Sequence, residues 1–211
     1  MKSFFILIFL LTNYFSYSQK TEIRYFNTDK EEVTKKQFYR QKNYRVNHEL
    51  FFKTDSLIIG MLVKRKNQGK LEKTELNQLR QHLSLLSGEQ VDSSNTIVIN
   101  YLSSTLKLPY LGEKSRWVIF DPDYLNNLNK IPNVQQFWVN NPDNQNLEYF
   151  HNDRINWIED SFRIIENLFF PYEFELGSFV VINSDGYYIS YFAEYGIEEV
   201  IKITNECINL K

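Results

Sequence analysis

The stretch GSFVVINSDGYYISYFAEYGIEEVIKI, residues 177–203, reads as a β-hairpin followed by a helix. Ser178 to Asn183 and Tyr187 to Phe192 are rich in β-branched and aromatic residues, the side chains that suit a pleated, half-buried surface. Ser184-Asp185-Gly186 between them is a turn signal, because glycine accepts the positive φ that a tight hairpin needs. Alternation sends Tyr187, Ile189 and Tyr191 to one face and Tyr188, Ser190 and Phe192 to the other. One set is expected on the core. The second is either covered by a helix or left as a binding patch, and coverage is the expected outcome. Ile197, Ile201, Thr204 and Ile208 then recur at helical spacing and line a last helix.

Working upstream, Thr96 to Leu102 (TIVINYL) and Val134 to Val139 read as buried strands. Between them Arg116 to Phe120 is either a short strand or the front of a helix kinked at Pro122. Asp121-Pro122 also forms an N-cap and first-turn pair for a helix carrying Leu125 and Leu128 and ended by Pro132. Residues 140–146 (NNPDNQN) have loop composition. Ile155, Ile158, Phe162, Ile165 and Phe169 predict one helix, closed by Pro171. Further upstream, Leu76, Leu79, Leu83 and Leu86 predict a helix with Gly88 as its stop. Strands are predicted over 22–27, 44–52 and 56–63, with a solvated helix within 30–42 and a turn over Lys64 to Gly69.

The chain has 211 residues, 16% of them aromatic, with few Gly and Pro, which describes a packed globule. At the N-terminus Lys2, the eight-residue apolar run Phe4 to Leu11 and the small residues Ser16 and Ser18 form an export signal. Cleavage near Ser18 and a periplasmic or secreted location are expected. The run is too short for the roughly 20 apolar residues of a membrane anchor, and no span is expected later in the chain. Three regions follow: a signal peptide over 1–18, a basic α+β region over 19–90, and a third over 91–211. Residues 20–90 hold fifteen Lys/Arg against nine Asp/Glu, a net +6, and residues 91–211 hold eight against seventeen, a net −9. Oppositely charged substructures are the simpler reading. An exported chain rarely meets nucleic acid, so none is expected as a partner, and a protein partner is the class left open.

From Thr96 onward the order is strand, mixed segment, strand, helix, strand, strand, helix. Helical crossovers between the early strands imply parallel pairing, and the closing hairpin adds antiparallel strands. That order, together with residues 177–203, resembles the thioredoxin-like fold. The resemblance covers about 115 residues. It implies an α/β architecture with a mixed sheet flanked by helices, the 19–90 region being an N-terminal elaboration. It also implies a Cys-x-x-Cys pair after the first central strand and a cis-proline before the hairpin. Here the corresponding positions are Ser103-Ser104-Thr105-Leu106-Lys107 and Gly177-Ser178. The resemblance therefore implies the scaffold and argues against thiol–disulfide exchange. Ser103, Ser104, Thr105, Gly177 and Ser178 become the expected ligand-binding positions.

Other chemistry is sparse. Cys207 is the single cysteine, which excludes an internal disulfide; on the last helix it is expected to be buried and inert. Its alternative role is that of a single-cysteine redox partner acting between subunits. His48, His82 and His151 show no metal-ligand spacing, and His82 is read as solvated. No phosphate loop, nucleophile elbow, metal motif or cofactor motif occurs, and no catalytic residue is assigned. Asp121 and Asp123, Glu159 and Asp160, and Glu194, Glu198 and Glu199 are carboxylate groupings whose simpler task is capping or dipole stabilisation. The expectation is a non-catalytic binding or interaction protein. The alternatives are a carboxylate-dependent hydrolase using Asp121, Asp123 or Glu194, and the Cys207 redox partner.

Overall fold

A computed structural model describes residues 21–103, 112–144, 147–174 and 177–211. The export signal and the positions Ser104 and Thr105 lie outside the described residues. The chain forms two compact units, one extending to Asn43 and resuming over Glu49–Val63, the other made of Tyr44–His48 and Lys64–Lys211. Both are built on mixed sheets, so the class is α/β. Among the described residues no helix is long and apolar enough to cross a membrane.

In the first unit, strands β1 (Glu22–Phe26), β2 (Glu32–Val33), β3 (Asn47–Lys53) and β4 (Leu57–Lys64) give a sheet of order β2-β1-β4-β3. β1 runs parallel to β4 and antiparallel to β2. Helix α1 (Lys35–Gln41) starts at a capping box in which Thr34 and Gln37 satisfy each other's backbone N–H groups. Its Phe38 is fully buried, with its ring 5.0 Å from Tyr25.

In the second unit, a six-stranded sheet has the order β5-β10-β9-β6-β7-β8. The elements are β5 (Lys66–Lys70), α2 (Lys73–Ser87), β6 (Thr96–Leu102), α3 (Pro122–Leu128), β7 (Val134–Asn140), β8 (Trp157–Glu159), α4 (Ile164–Phe169), β9 (Ser178–Ile182), β10 (Tyr187–Tyr191) and α5 (Ile197–Ile208). Strands β6, β7 and β8 are parallel, whereas β9, β10 and β5 each run antiparallel to the neighbour before them. Val98, Phe179, Val181 and Ile189 pack with Tyr124, Val200, Ile203 and Cys207 beneath α3 and α5. Alternation turns Tyr101 and Tyr188 to the opposite face, where Phe170 stacks on Tyr101 at 4.8 Å and Phe169 of α4 meets Tyr188 at 5.1 Å.

Several expectations hold closely: β6, β7, both hairpin strands, α2 with Gly88 in the left-handed conformation (φ 74°), and α5. The hairpin turn is organised by Asn183, whose Oδ1 accepts from the backbone N–H of Asp185 and Tyr187, and by Gly186 at φ 87°. Both faces of the aromatic run are covered, Tyr191 by Phe179 at 5.4 Å and Phe192 by Phe174 at 5.8 Å.

Three expectations change. Lys66–Lys70 is a strand and not a turn: its polar side chains carry no apolar pattern, yet its backbone pairs with β10 at the sheet edge. The single helix over 155–169 is instead β8, a turn and α4. Asp160 accepts from Ile164 and Glu166 N–H, and Arg163 adopts φ 52°, so the chain turns before the helix starts. Phe162 was part of the helical spacing by coincidence and is 78% exposed. Residues 118–120 form one 3-10 turn, and Asp121 occupies the N-cap of α3 without a side-chain capping bond.

Candidate functional site

The three parallel strands end side by side, and the residue after each is polar and buried. Ser103 follows β6, Asn141 follows β7 and Asp160 follows β8, with 2%, 3% and 0% exposure. The ladder continues through them, since Asn141 N–H donates to Leu102 O and Asp160 N–H to Asn140 O, both at 2.9 Å. Alternation puts all three on the face of Tyr101. Strand β6 has a parallel neighbour on one side and an antiparallel one on the other. In open α/β sheets ligands bind in crevices outside the carboxyl ends of the strands.

At the end of β6, Ser103 Oγ accepts from Phe174 N–H at 3.0 Å and donates to Phe174 O at 3.1 Å. One hydroxyl thus closes the segment before β9 onto β6. Gly177 completes the junction at φ 78°, where an added Cβ would stand 2.4 Å from Tyr101 O. Only glycine meets both demands. Ser178 is fully buried, pairs with Tyr101 across β9 and β6, and accepts from Ala193 N–H at 3.4 Å. Ser103 therefore meets Gly177 and Ser178, which lie 74 residues or more further along the chain, at one strand end.

Asp160 and Glu166 organise the neighbouring ends. Both carboxylate oxygens of Asp160 accept backbone N–H groups of α4, at 2.9 and 3.0 Å. Glu166 Oε2 accepts from Asn141 Nδ2 and Arg163 Nη1, each at 2.8 Å, and from the Tyr101 hydroxyl at 3.4 Å. Arg163 also reaches Asp143 at 2.5 Å. Burial, reinforced by the Asp160 and Glu166 charges, pushes the Tyr101 phenol far above its ordinary value, so it stays a proton donor. His82 differs from its expected solvated state: its side chain is 11% exposed, and Nε2 lies 3.7 Å from Asp160 Oδ1 with no hydrogen-bond partner among the described residues. A leucine-rich helix packed over the sheet carries it inward, because α2 runs close to β8.

Tyr101, Asn141, Asp160, Arg163 and Glu166 were not singled out as a group by the sequence. For Tyr101, Asn141 and Asp160 the signal is position at or just after the end of a parallel strand, whereas Arg163 and Glu166 lie at the start of and within α4. The grouping becomes visible only when β8 is recognised as a strand.

The other candidates are scattered. Cys207 is buried, its Sγ 3.3 Å from Val181 O and 3.4 Å from Tyr187 O, and burial pushes its thiol up to about 12. His151 Nε2 lies 2.8 Å from Ser115 O, and His48 packs on Phe174 at 5.4 Å. No group of three or more His, Cys, Asp and Glu able to hold a metal occurs among the described residues. Asp121 lines one groove with Arg154, whereas Glu194 lines another with Arg116 and Trp117, so these carboxylates do not share a cleft. Comparison with protein-family models, curated proteins and solved structures gives no match to the chain.

Proposed function

We propose that the chain is an exported, non-catalytic binding or interaction protein on a redox-inactive thioredoxin-like scaffold. The parallel β6–β7 pair joined through α3, followed by the antiparallel β9–β10 hairpin and α5, supports the scaffold. The observation that carries the functional reading is the Ser103–Phe174 clasp beside Gly177. At the strand end where the resemblance calls for a cysteine, a serine hydroxyl spends its donor and an acceptor on backbone groups. Where it calls for a cis-proline, Gly177 presses on Tyr101 O. A serine supplies no thiolate for exchange chemistry, and this hydroxyl's proton is held by the Phe174 carbonyl. The lone thiol sits beneath α5, protonated at neutral pH and enclosed.

The test is insulin reduction driven by dithiothreitol. The expected rate equals that of dithiothreitol alone, and turnover above it would overturn the reading. Export is tested separately by N-terminal sequencing of the secreted chain, with Gln19 expected as the first residue.

A further inference from the structure

A groove of about 390 Å³ lies over β7, between the start of α3 and residues 154–156 that lead into β8. Its size is in the range of small-molecule sites, about 300–1,000 Å³. Phe120, Leu125, Trp138 and Ile155 give it an apolar lining. The polar groups around it divide by element and by chemistry. Asp121 at the start of α3 makes no capping bond, so its carboxylate is left to the groove. Gln136 of β7 spends its amide Nε2 on Asn100 Oδ1 at 2.9 Å, which leaves its Oε1 as an acceptor. These two acceptors lie on the α3 and β7 side. On the 154–156 side stand Arg154 and Asn156, whose guanidinium and amide have no hydrogen bond or ion pair among the described residues.

A groove lined by apolar side chains, by the Asp121 carboxylate and by the Arg154 guanidinium is matched by a molecule with an ammonium, an apolar body and a carboxylate. A purely anionic ligand would meet the Asp121 carboxylate, and a purely cationic one the Arg154 guanidinium. We propose that this groove binds a short peptide with free termini, its ammonium on Asp121 and Gln136 Oε1, its carboxylate on Arg154 and Asn156, and its side chains on Phe120 and Trp138. The site lies on the α3 face of the sheet, opposite Ser103 and Asp160, and stands independently of the redox-inactive reading above.

The experiment titrates the full chain with the dipeptide leucyl-phenylalanine by calorimetry, following the Trp138 indole resonance in parallel. Acetylating the peptide amine and amidating its carboxylate should each weaken binding about tenfold, as loss of a charge-assisted contact does. Asp121→Asn should weaken the free dipeptide to a similar degree yet leave the acetylated one unchanged, and Arg154→Gln should do the same for the amidated one. Blocked peptides that bind as tightly as the free one, or no shift of Trp138 at millimolar dipeptide, would overturn the proposal. Because the blocked ligands probe the unaltered protein, this holds even if a variant folds poorly.

Discussion

At the scale of single residues, burial decides what a polar group can do. Ser103 Oγ holds both backbone groups of Phe174 in a site only 2% exposed. Ser103→Ala strands a buried N–H and a buried C=O, each worth about 1–3 kcal/mol when left unmade. The variant is expected to lose roughly 2–4 kcal/mol in urea unfolding, whereas Ser103→Cys, which keeps a weak donor and acceptor, should lose less. Equal losses would mean that the clasp contributes little. Cys207 makes a second case. Its thiol is enclosed and shifted up to about 12, so at pH 8 iodoacetamide should not modify the native protein. In denaturing urea the same reagent should label it quickly. Fast labelling of the native chain would instead restore the single-cysteine redox partner.

At the scale of elements, legibility followed the strength of local signals. The β9–β10 hairpin could be read because its turn chemistry and its alternation agree, Gly186 doing in the structure what the sequence implied while Asn183 adds side-chain bonds the sequence did not point to. Strand β5 could not be read, since Lys66, Asn67 and Gln68 look like a loop and only pairing with β10 makes them a strand. Charged edge strands of this kind protect a sheet from adding further strands, so their sequences lack the apolar signal by design. Helix α4 was misread for a different reason. Ile155 and Ile158 happen to fall in phase with Ile165 and Phe169, and only the local bonds of Asp160 break the run into strand and helix. That dependence can be measured. Asp160→Ala removes the acceptors for Ile164 and Glu166 N–H, a loss of about 1–3 kcal/mol for bonds to a buried carboxylate, and those amides should exchange with solvent faster than the amides of β6. Unchanged protection at Ile164 and Glu166 would show that α4 starts without the Asp160 bonds.

At the scale of the whole molecule, most of the candidate site was invisible because it is assembled from the ends of three strands. The sequence located Ser103 and Gly177 through the resemblance, but Asn141, Asp160 and Glu166 join them only in the folded sheet. The same sheet gathers buried acids that govern stability in alkali. Asn100 Oδ1 accepts from the Tyr124 hydroxyl at 2.7 Å, and Asn100 Nδ2 donates to the Tyr195 oxygen at 2.8 Å, on the face that also holds Cys207. Burial raises all three groups above their ordinary values of 10.0 for the phenols and 9.0 for the thiol. Above about pH 9 the unfolded chain releases these protons while the folded protein keeps them, so the folded state binds more protons and loses stability as pH rises. Stability is therefore fully present below pH 9 and declines through the alkaline range, each group contributing at most about 1.4 kcal/mol per pH unit. Tyr124→Phe keeps the ring and deletes one of these protons. At pH 7 it should cost about 1 kcal/mol for the lost bond to Asn100. Urea-unfolding free energies from pH 7 to pH 11 should then fall less steeply for this variant than for the wild type. Parallel curves would mean that Tyr124 ionises alike in both states, and that the buried Asn100 network does not set the alkaline limit of the fold.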